Sequence, residues 1–293
     1  MDTVSPCIFP CALASLLGRP DAPLLLDVRR RERFAASGRL LPGARWCAPE
    51  EVAALAASEL PASVVYCAYG HEASQDVTRA PCAAGWSARL LRGGIGGGEQ
   101  GVDPQADLHA WRAAPLPRMR KRADPGVAGG APSPWITRAR PKIDRLACPW
   151  LLRHFLAPRA LFCYVPGHQV ITQAAALQPV PFDIEGVPIS HAWERSSFDT
   201  LLAEFGRDAP GLDTLATSVR GADTDRLAIA PQAAGLLAIS LGLSRRHADD
   251  DHDHDHAMLA AAMPLYDARY AWCRNGRGES HRWSAHAMPK AAP

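Results

Sequence analysis

The chain has 293 residues, of which 47% are hydrophobic and 21% charged, with 32 basic against 30 acidic side chains for a net charge of +2. That balance gives no global attraction to nucleic acid or anionic membrane, and the length suggests about two domains. With no run of about 18 apolar residues and no basic-then-apolar leader, neither a transmembrane helix nor a signal peptide is expected.

The eight cysteines (7, 11, 47, 67, 82, 148, 163 and 273) contain no C-x-x-C pair. They read as reduced thiols of a cytoplasmic protein, and neither as a zinc ribbon nor as a disulfide framework. In chain order, LLLDV (24–28) is a short strand carrying Asp27, followed by a polar helical pattern, RRRERFAAS. ARWC is a strand stub, and Pro49 with Glu50 and Glu51 suits the first turn of the next helix. SVVYC (63–67) is a strong strand, a helix follows from about Ser74, and SARLLRGG (87–94) is a third strand. Strands alternating with short helices give an α/β unit with a parallel sheet. Pro81 should end or kink the helix near Arg79–Ala80.

In such sheets the chemistry lies beyond the carboxyl ends of the strands, where Cys67 sits. A helix starting just after a thiol offers free N–H groups and a positive dipole end, which favour a thiolate. The pieces LLLDVR, RRERFAASG, LPGARWCAPEEV, VVYCAYGHEAS and AAGWSARLLRGGIGG resemble, in order and spacing, a rhodanese (sulfurtransferase) module over residues 8–112. The resemblance implies a persulfide on Cys67, with the amides of Ala68, Tyr69, Gly70, His71, Glu72 and Ala73 as an anion cradle and Asp27 and Arg29 bracing the loop. A small-molecule sulfur donor or persulfide is then the partner. His71 and Glu72 stand where the family often has an arginine, and an acidic Glu72 would repel thiosulfate. Gly98 stands where the family usually has tryptophan, which predicts a looser domain. These departures keep open a non-enzymatic sensor or binding protein on a degenerate rhodanese fold.

Residues 113–134, rich in Pro, Gly, Ala and Arg, read as a linker whose RMRKR run (118–122) is solvated. Beyond it the pattern becomes mainly α with a few strands. Helical spacing covers 144–158, 198–206, 212–223, 230–244 and 256–274, ALFCYV (160–165) is a strand, and 275–293 reads as a disordered tail. KIDRLACPWL, PFDIEGV, RGADTD, APQAAGLLAISLGLS and YDARYAWC closely resemble the C-terminal domain of the chromate-resistance ChrB family over residues 135–274. The resemblance implies chromate or another oxyanion as a partner and no nucleic-acid contact, because the family's own N-terminal part is replaced here.

Arg138, Lys142 and Arg145 gather near one strand–helix junction and form a candidate oxyanion site; the competing reading is an Asp144 helix cap among surface cations. Cys148 reads as a packed small residue or a redox group. His191 and Glu194, with Asp223 and Asp225, form a candidate divalent-metal site, which would also suit a metal-dependent or redox enzyme housed wholly in this half. The tract DDDHDHDH (249–256) carries metal-binding side chains but reads as a solvated loop between two helices.

Overall fold

A computed structural model describes residues 7–58, 61–113, 116–122, 127–206, 209–248 and 253–278. The first half builds a five-stranded parallel sheet from β1 (Cys7–Ile8), β2 (Leu24–Asp27), β4 (Arg45–Trp46), β5 (Ser63–Tyr66) and β6 (Ala88–Leu91), in the order β1-β6-β5-β2-β4. Strand β5 is central and wholly buried, as its unbroken apolar run requires. Helices α1 (Pro10–Leu16), α2 (Arg31–Ala36), α3 (Val52–Ala56), α4 (Glu72–Ala83) and α5 (Gln105–Ala113) pack around this sheet. The α/β reading of this half therefore holds.

Two local expectations fail. Helix α4 starts at Glu72 and passes through Pro81 to Ala83. Pro81 lies in the last turn, where its missing N–H costs only one bond near the frayed end. Nor is there a gap at Gly98. A Cβ there would lie 2.6 Å from Leu108 and 2.8 Å from Trp111, so α5 fills the space with its own indole.

The stretch read as a solvated linker is partly structured. Within it, β7 (Met119–Arg120) pairs antiparallel with β3 (Arg39–Leu40). Arg118 donates to the Ile95 carbonyl, Lys121 sits 3.7 Å from the Phe34 ring centroid, and Arg122 pairs with Glu204. The basic run is thus tied inward, since each of these cations finds a carbonyl, a ring or a carboxylate. Phe34, Leu40, Met119 and Val127 belong to the same buried cluster as the core of the second half.

That second half is helix-rich around a small parallel sheet of β8 (Pro134–Arg138), β9 (Leu161–Val165) and β10 (Val180–Pro181), in the order β10-β8-β9. Its helices are α6 (Asp144–Leu151), α7 (Val170–Leu177), α8 (Ser197–Phe205), α9 (Leu212–Asp223), α10 (Ala233–Arg246) and α11 (Asp253–Ala271). Trp135, Trp150, Phe182, Phe198 and Phe205 fill its centre. Helix α8 opens with a capping box in which the Ser196 N–H donates to the Asp199 carboxylate. Part of the Asp/His tract is helix rather than loop, because α11 begins inside it; its residues 249–252 lie outside the described residues. Asp255 is buried and accepts the Arg140 N–H, and the His256 ring meets Tyr164 edge-on. The expected tail starts inside a wide helical turn, Trp272–Gly276, with Cys273 and Gly276 buried, whereas 279–293 lie outside the described residues. No described helix is long and apolar enough to cross a membrane.

Candidate functional sites

Cys67 follows the last residue of β5 and precedes α4. Its sulfur accepts the Gly70 N–H at 3.2 Å and lies 3.5 Å from Ser74 Oγ. The Ser74 hydroxyl in turn donates to the His71 carbonyl. Cys67 is 6% exposed and shares an apolar cluster with Leu26, Val28, Val65 and Leu90. Ala73 packs against the same cluster, Ala68 and Tyr69 are half-buried in the loop, and the Glu72 side chain lies outside the described structure.

The loop is held by a second, glycine-rich loop after β6. Ile95 N–H donates to the Cys67 carbonyl and Gly96 N–H to the Ala68 carbonyl. The two backbones run so close that a Cβ on Gly94 would fall 2.5 Å from the Cys67 carbonyl and 2.7 Å from the amides of Tyr69 and Gly70. Only glycine fits there, and its φ of +55° is also glycine's region.

Asp27 and Arg29, expected to brace the loop, pair with each other at the end of β2. Arg29 Nε and Nη2 donate to the two carboxylate oxygens of Asp27, and Nη2 also reaches the Arg39 carbonyl. Both residues are buried. Burial alone would lower the arginine's pKa, but the bond to Asp27 and its charge outweigh this and raise it. The Asp27 carbonyl accepts Cys47 N–H, and Val28 N–H donates to the Tyr66 carbonyl, so the ion pair fixes β2 between β4 and β5.

Two carboxylates stand beside His71 of the thiol loop. His71 Nε2 lies 2.9 Å from Asp103 and Nδ1 lies 3.5 Å from Glu99. Burial would raise the Asp103 carboxyl, yet the Glu99 N–H and His71 together hold it below the usual aspartate value.

The second constellation lies between the start of α6, the loop before α8 and the end of α9. His191 Nε2 is 2.9 Å from Asp223 Oδ2, 3.4 Å from Asp183 Oδ1 and 3.5 Å from Asp144 Oδ2. Asp144 is wholly buried. Its Oδ2 accepts the Ser197 N–H, and its Oδ1 has no hydrogen-bond partner. Burial, then repulsion from Asp223 and Asp183, push its pKa well above the usual range. His191 is pushed up to about 10 by its bonds to Asp183 and Asp223. For Asp183, burial works upward, but the bonds from His191 and Ser197 and the charges of Arg145 and Arg138 hold it low.

The structure thus brings His191 and Asp223 together and adds Asp144 and Asp183. Glu194 and Asp225 stand outside the cluster. Residues 192–195 make a tight turn that sends Glu194 into an exposed ion pair with Arg226 at 3.0 Å. Asp225 is exposed, two residues past the end of α9. The oxyanion candidates are also rearranged. Arg138, which is exposed, and Arg145 each reach Asp183 Oδ2 at 3.2 Å, so the two cations share one carboxylate, and Lys142 is exposed. Asp144 makes no side-chain cap on α6; it is the helix's first residue and bonds to α8 instead. Cys148 is wholly buried, and burial raises its thiol pKa well above the ordinary value, which fits the packed reading.

The backbone before Asp144 is strained. Ile143 has φ +37°, an outlier for a β-branched residue. It is held by the Ser240 hydroxyl on its N–H and the Tyr266 hydroxyl on its carbonyl. Asp183 also adopts a left-handed φ of +52°. In the sequence, the signal for both aspartates is their place inside the most specific motifs, KIDRLACPWL and PFDIEGV.

Residues 135–273 match the family described as ChrB, C-terminal domain. The whole carboxylate–imidazole cluster falls inside these matched residues. Protein ChrB of Cupriavidus metallidurans is 33% identical over 136 residues, 43% of this chain and 40% of its own length. The chain therefore spans well under half of that curated relative. Two solved structures also align with part of the chain, at scores too low to carry an assignment. One is a protein of unknown function, a possible tyrosine phosphatase, from Rhodopseudomonas palustris (20% identity, 38% of this chain and 84% of that one, TM-score 0.28). The other is a thiosulfate sulfurtransferase from Pseudomonas aeruginosa (25% identity, 40% of this chain and 20% of that one, TM-score 0.27).

Proposed function

We propose that this chain is a cytoplasmic chromate-resistance protein of ChrB type whose N-terminal domain carries a sulfane sulfur on Cys67. The observation that carries the sulfur reading is the Gly70 N–H directed at the Cys67 sulfur from the turn between β5 and α4. An N–H there, at the positive end of a helix, stabilises charge on sulfur. In the forward step the Cys67 thiolate attacks the outer sulfur of a small-molecule persulfide. A new S–S bond forms, the donor's S–S bond breaks, and the donor thiolate leaves with the electron pair. An acceptor thiolate then attacks the outer sulfur of the Cys67 persulfide and regenerates the thiolate.

Glu99 and Asp103, both beside His71, set negative charge near the loop and so disfavour thiosulfate, whose two charges lie on the reacting group itself, relative to a thiol persulfide. The association with chromate enters through the ChrB-type domain. Because Arg138 and Arg145 are paired with Asp183, that domain offers carboxylates and an imidazole more readily than free cations, so an oxyanion would depend on displacing those pairs. The reading assigns no nucleic-acid or membrane partner; within the basic run 118–122, Arg118 and Arg122 are engaged by the fold.

The test is mass spectrometry of the protein after exposure to glutathione persulfide or to thiosulfate, with Cys67→Ala as control. One added sulfur atom on Cys67, from the persulfide far more than from thiosulfate, is the expected result. Failure of both donors to label Cys67 overturns the transfer reading. It would leave the second one, a non-catalytic binding protein on the same fold, which the near-burial of Cys67 favours.

A further inference from the structure

We propose that Asp144, His191 and Asp223, with Asp183 at the rim, form a site for one divalent metal ion. One ligand atom from each of the first three lies within 4.8 Å of the others, close enough for a single cation to replace the contacts they now make to each other. The inference does not depend on Cys67, which lies in the other half of the chain.

Three observations converge. First, three carboxylates crowd a single imidazole nitrogen, which has at most one hydrogen to give. Arg138 and Arg145 neutralise Asp183 from its far oxygen. Asp144 and Asp223 are left with His191 as their shared counter-charge. Second, Asp144 is wholly buried and its Oδ1 has no partner. A buried carboxylate oxygen without a donor is costly, and metal ligation is one of the few arrangements that removes the cost. Third, Asp223 is the last residue of α9, where the helix's partial negative charge adds to the attraction for a cation.

The surroundings are those of a ligand shell. Ser197 gives its N–H to Asp144 and its hydroxyl to Asp183 Oδ1 at 2.7 Å, while Asp144's own N–H reaches Asp223 Oδ1 at 3.3 Å. Such outer bonds orient ligands. Carboxylate oxygens with one imidazole form a hard-to-borderline set that suits Mn²⁺, Fe²⁺ or Zn²⁺ rather than a soft thiophilic ion. His191 is 41% exposed and the aspartates lie beneath it, so the ion enters, and keeps open coordination positions, on the His191 side.

Mn²⁺ serves as the probe on the full chain, followed by electron paramagnetic resonance titration. The expected result is one tightly bound Mn²⁺ per chain, with hyperfine coupling to one histidine nitrogen. Asp144→Asn, His191→Gln and Asp223→Asn should each weaken binding at least tenfold. Glu194→Gln, Asp225→Asn and the pair His252→Gln/His254→Gln should leave it within threefold. Absence of saturable binding, absence of the histidine coupling in the unmodified protein, or loss of binding only with the His252/His254 pair overturns the site. The coupling is read without any variant, so a cluster variant that fails to fold does not blunt the test. Persulfide labelling of Cys67 is scored separately, so either activity can fail without the other.

Discussion

Replacing Gly94 by alanine isolates the close approach on which the thiol loop depends. The added methyl would sit 2.5 Å from the Cys67 carbonyl oxygen and 2.7 Å from the amide nitrogens of Tyr69 and Gly70. All three neighbours are backbone, so no side chain can swing away. A left-handed conformation costs an alanine about 1–2 kcal/mol, and forcing a methylene-sized group into packed atoms costs about 1–3 kcal/mol more. The total of roughly 2–5 kcal/mol is a large share of the 5–15 kcal/mol that holds a typical domain folded. Gly101 is the internal control, because it also has a positive φ, +83°, but nothing within 4 Å of the place a methyl would occupy. Gly101→Ala should therefore cost only the conformational part. Urea denaturation of both variants measures the difference, and the rate of Cys67 alkylation reports whether the loop has moved. If Gly94→Ala is no more destabilised than Gly101→Ala and its thiol reacts at the same rate, the two loops do not constrain each other as described.

Asp27→Ala leaves Arg29 buried without its counter-charge and should cost about 3–5 kcal/mol, whereas Asp27→Leu with Arg29→Met should cost far less; denaturation midpoints compare the two. Asp103 has a folded pKa below the ordinary value of about 3.9, so its contribution is fully present above that pH and is lost as pH falls through the lower folded value. Acid unfolding curves should accordingly fall less steeply below about pH 4 for Asp103→Asn than for the unmodified protein. Lys121→Gln removes the ammonium over Phe34 and its bond to the Phe34 carbonyl; a loss of about 0.5–2 kcal/mol is expected in urea titration.

Much of the sheet can be read from residue order because LLLD and SVVY carry apolar runs that only a buried parallel strand accommodates. Helix α9 coincides with the periodic segment 212–223. Helix α5 escapes such a reading, since its buried apolar residues, Leu108 and Trp111, are too few to stand out. They matter because they occupy the place that Gly98 vacates, a compensation between positions far apart in sequence. At the carboxylate cluster, the three-residue spacing of His191 and Glu194 suggests a shared helical face. The chain makes a tight turn there, and the spacing loses its meaning. Asp144 and Asp183 reach His191 from 47 and 8 residues away, the first across intervening strands and a helix, and no local rule links them. A helix cap is the reasonable local reading of Asp144; the buried contact with Ser197 is visible only after folding.

Strand β7 has a consequence for how the molecule comes apart. By pairing with β3 and setting Met119 opposite Leu40, it ties Phe34 and Leu40 of the first half into the apolar interior of the second. A calorimeter should record a single melting event rather than two, and a fragment beginning at Trp135 would expose an oily scar where Phe34 and Leu40 had been.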